Sequence, residues 1–160
     1  MSSQKRNKIT VICTANVCRS PMGERILAEA LKKEAGPLAE LEVVSSGVAA
    51  RYGSPASPFS IKVLEEEGID LHEHCSQPLT QDLINESLLL LCMTQDHASI
   101  AEAIFDIRED QINLYRGFME TPRNMEIPDP FGGSLELYKE TLESIKEGTP
   151  SIVNHLKNLV

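Results

Sequence analysis

No apolar run among the 160 residues is long enough to cross a bilayer, and Met1 to Lys8 is polar, which leaves no recognisable export signal. The expectation is a cytoplasmic protein. Basic residues are few: 15 lysines and arginines stand against 24 aspartates and glutamates, for a net charge of −9. Nucleic acid and anionic membrane are poor partners for such a chain, because both require a basic footprint. The four cysteines, Cys13, Cys18, Cys75 and Cys92, lack the paired Cys-x-x-Cys spacing of a structural zinc site. With nothing directing export, they are expected to be reduced thiols. Internal repeats, low-complexity tracts and any sign of a second domain are missing too. Residues 1–160 therefore read as one domain, with a polar, frayed N-terminus over residues 1–8.

What remains is an ordinary soluble composition, 41% hydrophobic and 24% charged, organised around one stretch. The run Ile9-Thr10-Val11-Ile12 leads into Cys13-Thr14-Ala15-Asn16-Val17-Cys18-Arg19-Ser20-Pro21, and a helical pattern begins near Met22. A strand, a short loop and a Ser-Pro helix start form the arrangement that aims backbone N–H groups at an anion. Residues Thr14, Ala15, Asn16, Val17, Cys18 and Arg19 are the expected phosphate-binding set. Arg19 adds a planar fork of donors that can hold two phosphoryl oxygens and follow them into the transition state. Cys13 sits where strand passes to loop, facing the same N–H groups and the guanidinium, and such surroundings supply thiolate at neutral pH. The plainer alternative is a buried strand-end cysteine and a surface arginine.

The nonamer resembles the signature Cys-x-Gly-Asn-x-Cys-Arg-Ser-Pro of the low-molecular-weight protein tyrosine phosphatases, and departs from it only at Ala15. The likeness continues along the chain. Ser45-Ser46-Gly47 resembles that family's Ser-Ala-Gly segment after the second strand, which implies that Ser45 braces the phosphate loop. Gly68-Ile69-Asp70-Leu71-His72-Glu73-His74 resembles its Gly-Ile-Asp-Leu-x-x-His segment, which places His74 in the same bracing network. The resemblance makes Asn16 the hub, tied to Ser20, Ser45 and His74. Pro128-Asp129-Pro130-Phe131 resembles the family's Asp-Pro-aromatic motif, whose Asp is the general acid. Prolines on either side of Asp129 restrict the backbone that presents its carboxyl group. Tyr52, in the loop over residues 49–58, is the nearest match to an aromatic wall of the substrate cleft, with Val17 and Phe131 as further pocket residues. The resemblance also implies that Cys18 forms a reversible disulfide with Cys13 that protects the nucleophile. His72 and His74 lack a nearby third ligand, and neither a metal nor an organic cofactor is implied.

Taken in order, residues 9–13 read as the first strand, and a helix carrying Ile26, Leu27, Ala30 and Leu31 on one face runs to Gly36-Pro37. Leu41 to Ser45 is a second strand. Ile61, Val63 and Leu64 mark a helix stopped by Gly68, Thr80 caps a short helix through Asn85, and the apolar run Ser87 to Met93 is a central strand with Cys92 in the core. A helix around Ala98–Ile104 and a strand near Gln111–Tyr115 follow. The stretch from Arg116 to Gly133, with Pro122, Pro128 and Pro130, is a long loop of the kind that often carries function. Ser134 to Lys146 forms a helix, Gly148-Thr149-Pro150 breaks it, and a last helix carries Ile152 to Leu159. The alternation predicts an α/β domain with a four-stranded parallel sheet, helices on both faces, and the phosphate loop after strand 1 at a carboxyl edge.

The chemistry implied is hydrolysis of a phosphorylated protein in two steps, releasing inorganic phosphate. Cys13 attacks phosphorus and Asp129 protonates the leaving oxygen, then activates water. Val17 bears on the substrate, since tyrosine phosphatases of the family usually carry Ile there and the related protein-arginine phosphatases carry Thr. Lacking the hydroxyl, Val17 favours phosphotyrosine, whereas the Phe131-Gly132-Gly133 run looks closer to the arginine-phosphatase branch. Arsenate reduction would need a relay through two more cysteines, Cys75 and Cys92. A phosphopeptide-binding module without turnover stays open if Ala15 stands at a position that needs a positive φ.

Overall fold

Alternate residues of the first strand, β1 (Lys8–Cys13), face opposite sides: Ile9, Val11 and Cys13 enter one apolar cluster and Ile12 the other. This is the period-two pattern of a strand covered on both faces. The structure, a computed structural model, describes residues 6–120 and 124–160. Of the N-terminus expected to fray over residues 1–8, the first five residues lie outside the described residues, as does the loop proline Pro122, whereas Asn7 O accepts from Glu42 N at 3.0 Å and Lys8 opens β1.

From β1 the chain passes through α1 (Arg19–Lys32) to β2 (Glu42–Gly47), then α2 (Pro58–Glu65) and α3 (Gln81–Glu86), to β3 (Ser87–Cys92). There follow α4 (Gln95–Ile104), β4 (Ile112–Leu114) and α5 (Leu135–Lys157). All strand pairs are parallel, in the order β2-β1-β3-β4. The first cluster joins β1 to α1, α2 and α5 through Leu27, Val63 and Leu142, and the second joins it to α3 and α4 through Leu83 and Ala98. β2 lies on one side of β1 and β3 on the other, so the strand order reverses at the carboxyl end of β1. That end is the switch point where open α/β sheets hold ligands, and the loop from Cys13 to Arg19 occupies it.

Besides shifts of one to three residues at the ends of β2 and α4, two differences from expectation concern the helices. The first helix stops at Lys32, and Gly36–Glu40 forms a separate 3₁₀ turn. More consequentially, Gly148-Thr149-Pro150 does not break the last helix, and α5 runs unbroken from Leu135 to Lys157. A proline inside a helix removes one N–H and crowds the carbonyl four residues back. Here the turns beside the proline are held by other bonds: Arg116 Nη1 donates to Ser144 O at 2.8 Å, Thr149 Oγ1 donates within the helix to Ile145 O at 2.8 Å, and the buried Tyr115 hydroxyl meets Thr149 Oγ1 at 2.8 Å. Gly148 gives Tyr115 and Arg116 room to pack. Tertiary contacts thus carry the helix through a local stop signal.

Candidate active site

The loop between β1 and α1 is shaped by donors that reach its carbonyl groups from outside. Val48 N donates to Cys13 O at 3.0 Å, Ala49 N to Thr14 O at 2.9 Å and Ser57 N to Val17 O at 2.8 Å. His74 Nε2 donates to Asn16 O at 2.7 Å, and Ser60 Oγ to Cys18 O at 3.1 Å. In a planar trans peptide the N–H points opposite its carbonyl. Tying the carbonyls outward therefore turns the N–H groups of Thr14, Ala15, Val17, Cys18 and Arg19 toward the inside of the loop. Gly47 permits this packing, since a Cβ there would collide with the Thr14 carbonyl oxygen.

Asn16 holds the turn. Its φ of 60° is the only positive value at a non-glycine residue among the described residues, and asparagine is one of the few residue types that accept it. Its side-chain amide donates to Ser20 Oγ at 2.8 Å and Ser45 Oγ at 2.9 Å, and its Oδ1 accepts from Gln77 N at 3.0 Å. Asn16, Ser20, Ser45 and His74 thus lie in one network. Ala15 is outside the left-handed region, so the strain argument against catalysis does not arise. Two members escaped sequence reasoning. Gln77 also donates to Ser45 O at 2.9 Å, and Glu24 accepts from Ser45 Oγ at 2.7 Å. Burial holds the Glu24 carboxyl above its ordinary range, against the Ser45 hydrogen bond that lowers it. Neither sits in a local pattern that a strand-loop-helix reading would flag.

Inside the loop, Cys13 Sγ lies 2.9 Å from Ser20 Oγ. Arg19 is 4% exposed and donates through Nη1 to Ile127 O at 2.9 Å, which fixes the plane of its guanidinium. Its Nη2 faces Asp129 Oδ2 at 3.7 Å, and Asp129 Oδ1 accepts from Phe131 N at 3.0 Å, so the carboxyl group is aimed by its own turn. Cys13, Thr14, Ala15, Val17, Cys18, Arg19, Asp129 and Phe131 line one cavity of about 150 Å³. Tyr52 is not among them; it is 81% exposed on its loop. The wall it was expected to form is supplied by Phe131. Cys18 touches the Tyr138 hydroxyl at 3.3 Å, and burial raises its thiol. His97, unnoticed in the sequence, is buried with Nε2 2.8 Å from Thr14 Oγ1.

The remaining candidate groups lie elsewhere. Cys92 is in the second apolar cluster with its thiol pushed up to about 12 by burial, and Cys75 is exposed, so neither lines the cavity with Cys13. His72 pairs with Asp70 and Glu65 at the surface, apart from His74. A thiol, a fixed guanidinium, inward N–H groups and an aimed carboxyl group in one cavity can bind a tetrahedral oxyanion and exchange one of its substituents.

The model of the low molecular weight phosphotyrosine protein phosphatases matches residues 8–160. The chain belongs to that family. Among its relatives, a protein-arginine-phosphatase of Bacillus subtilis is 33% identical over 149 residues, 93% of this chain and 96% of that one. A probable low molecular weight protein-tyrosine-phosphatase, EpsP of Ralstonia nicotianae, is 33% identical over 152 residues, 94% of this chain and 97% of its own length. The crystal structure of the Erwinia amylovora tyrosine phosphatase AmsI superposes with a TM-score of 0.81 at 30% identity, over 93% of this chain and 92% of that one. As a low molecular weight phosphatase, the chain is a phosphoric monoester hydrolase that acts on phosphorylated proteins. Among the described residues, no helix is long and apolar enough to cross a membrane.

Proposed function

We propose that this phosphatase hydrolyses phosphotyrosine in cytoplasmic proteins, with Cys13 as nucleophile, Arg19 as phosphate clamp and Asp129 as general acid. The observation that carries the reading is that all three line one cavity whose other walls include the apolar Ala15, Val17 and Phe131. An aryl ring fits such walls. The Cys13 sulfur attacks phosphorus in line, the tyrosyl oxygen leaves with a proton from Asp129, and cysteinyl-phosphate remains. Water then gives its proton to Asp129 as it attacks, releasing inorganic phosphate and the thiolate. Arg19 and the inward N–H groups hold the equatorial oxygens, where charge builds up. Ser20, beside Cys13, supports the thiolate, and Cys18 is the partner for a protective disulfide.

Phosphoarginine is the second reading. The similarity to a protein-arginine-phosphatase and the Asp129-Pro130-Phe131-Gly132-Gly133 run favour it. Against it stands Val17, which offers no hydroxyl to a guanidinium. Phosphate release from matched phosphotyrosine and phosphoarginine peptides, in reducing buffer and with Cys13→Ser as control, decides between them. Preference for phosphoarginine would overturn the first reading, and release that survives Cys13→Ser would overturn both.

A further inference from the structure

His97 touches two residues of the cavity loop, and the rest of its environment fixes where its proton sits. The backbone N–H of Thr94 donates to His97 Nδ1 at 3.2 Å, closing the cap of α4. A ring nitrogen that accepts carries no proton, so the neutral ring bears it on Nε2. Nε2 therefore donates to Thr14 Oγ1 at 2.8 Å. Arg19 Nη2 donates to the same oxygen from 3.4 Å. With both its lone pairs engaged, the Thr14 hydroxyl has its own proton left to offer, and Thr14 lines the cavity. Arg19 Nη2 also approaches His97 Nε2 at 3.4 Å. Both nitrogens bear protons, so this approach is tolerable only while the ring is uncharged.

We propose that His97 is a positioning residue for phosphoryl transfer, a neutral Nε2–H donor that turns the Thr14 hydroxyl toward a phosphoryl oxygen beside Arg19 Nη2. The inference rests on the cavity being the phosphoryl site. The groups that face the ring agree with its neutral state. Burial and Arg19 bring its pKa down to about 4, against the pull of Asp129, Asp96 and Glu126.

Two measurements on the full chain test this. In the ¹⁵N-labelled protein, the imidazole nitrogens should report the Nε2–H tautomer and a midpoint well below the ordinary 6.5. The Nδ1–H tautomer, or a midpoint near the ordinary value, would overturn the proposal. The second measurement compares kcat/KM on an aryl phosphate, and the affinity for inorganic phosphate, among His97→Ala, His97→Gln, Thr14→Ala and the Thr14→Ala/His97→Ala double variant. Glutamine presents an acceptor and a donor at nearly the imidazole spacing and suits the third position of a helix cap. His97→Ala should lose about tenfold in both quantities, His97→Gln should recover most of it, and His97→Ala should add little once Thr14→Ala is present. A full His97→Ala loss in the Thr14→Ala background would assign His97 to the helix cap alone, and equal losses in the Ala and Gln variants would equally overturn its role as a donor to Thr14. If His97→Ala does not stay folded, the tautomer and midpoint of the wild-type ring decide. A wild-type protein that neither binds nor releases phosphate would instead remove the phosphoryl-site reading on which the proposal stands.

Discussion

Arg19 Nη2 and Asp129 Oδ2 face each other at 3.7 Å beside the cavity that both residues line. A phosphoryl group seated on Arg19 replaces that carboxylate with its own oxygens and leaves the Asp129 carboxyl group beside the leaving oxygen. Substrate binding thereby frees the carboxyl group to act. Asp129→Asn should lower kcat on a phosphotyrosine peptide by about 100-fold, the scale of general acid catalysis. An aryl phosphate whose leaving group needs no proton should suffer far less, and inorganic phosphate should bind no more weakly. A series of aryl phosphates graded by leaving-group pKa checks this, and a uniform loss across the series would exclude Asp129 as the proton donor.

Asn16 combines a left-handed backbone with four hydrogen bonds, three from its side chain and one to its carbonyl. Asn16→Gly keeps the backbone conformation and loses the side-chain bonds, whereas Asn16→Ala loses both. The Ala variant should therefore unfold more readily than the Gly variant by about 1 kcal/mol. Both should bind inorganic phosphate more weakly than wild type. Urea midpoints give the first comparison. Equal midpoints would mean that the loop relaxes out of its left-handed turn when the amide is gone.

The parts of this site that were legible in the sequence are those whose chemistry sits in consecutive residues. A β-branched strand, a cysteine, an arginine and a helix start define the phosphate loop locally, and the two prolines around Asp129 mark the acid. His97 and Glu24 were illegible for the opposite reason. Each lies on a helix where its residue type is unremarkable, and only the packing of α4 against Thr14, or of α1 against Ser45, gives it a partner. Tyr52 failed because an aromatic in a loop carries no information about which way the loop turns. Pro150 failed because a local stop signal was weighed without the side chains of Arg116 and Tyr115, which pin the neighbouring turns to the rest of the fold.

Ser46 is buried at the end of β2, and among the described residues its hydroxyl has no hydrogen-bond partner. A buried hydroxyl without a partner has given up its water and received nothing in return. Ser46→Ala should stabilise the fold by about 1 kcal/mol, leaving kcat/KM unchanged because Ser46 does not line the cavity. Thermal unfolding in phosphate-free buffer is the measurement. A destabilised alanine variant would show that the hydroxyl has found a bond after all.

His97 also gives the fold a pH dependence whose sign can be worked out. Its pKa is about 4 when folded, against an ordinary 6.5, because burial and Arg19 oppose the charged ring. As pH falls from 6.5 toward 4, the unfolded chain takes up a proton that the folded chain does not, so the contribution of His97 is present above that window and lost within it. The loss is on the order of 2 to 3 kcal/mol. Glu24 acts the other way. Its folded pKa is raised by burial, so its contribution is present at low pH and is lost as pH rises through that value. The raw stability curve mixes the two groups, but wild type and His97→Gln share Glu24 and differ only in the group that titrates between pH 4 and 6.5. Urea unfolding of both proteins across that range should give curves that diverge toward neutral pH, with the wild type the steeper. Parallel curves would mean that the ring takes up its proton as readily in the folded protein as in the unfolded chain, and so that Arg19 does not bear on it.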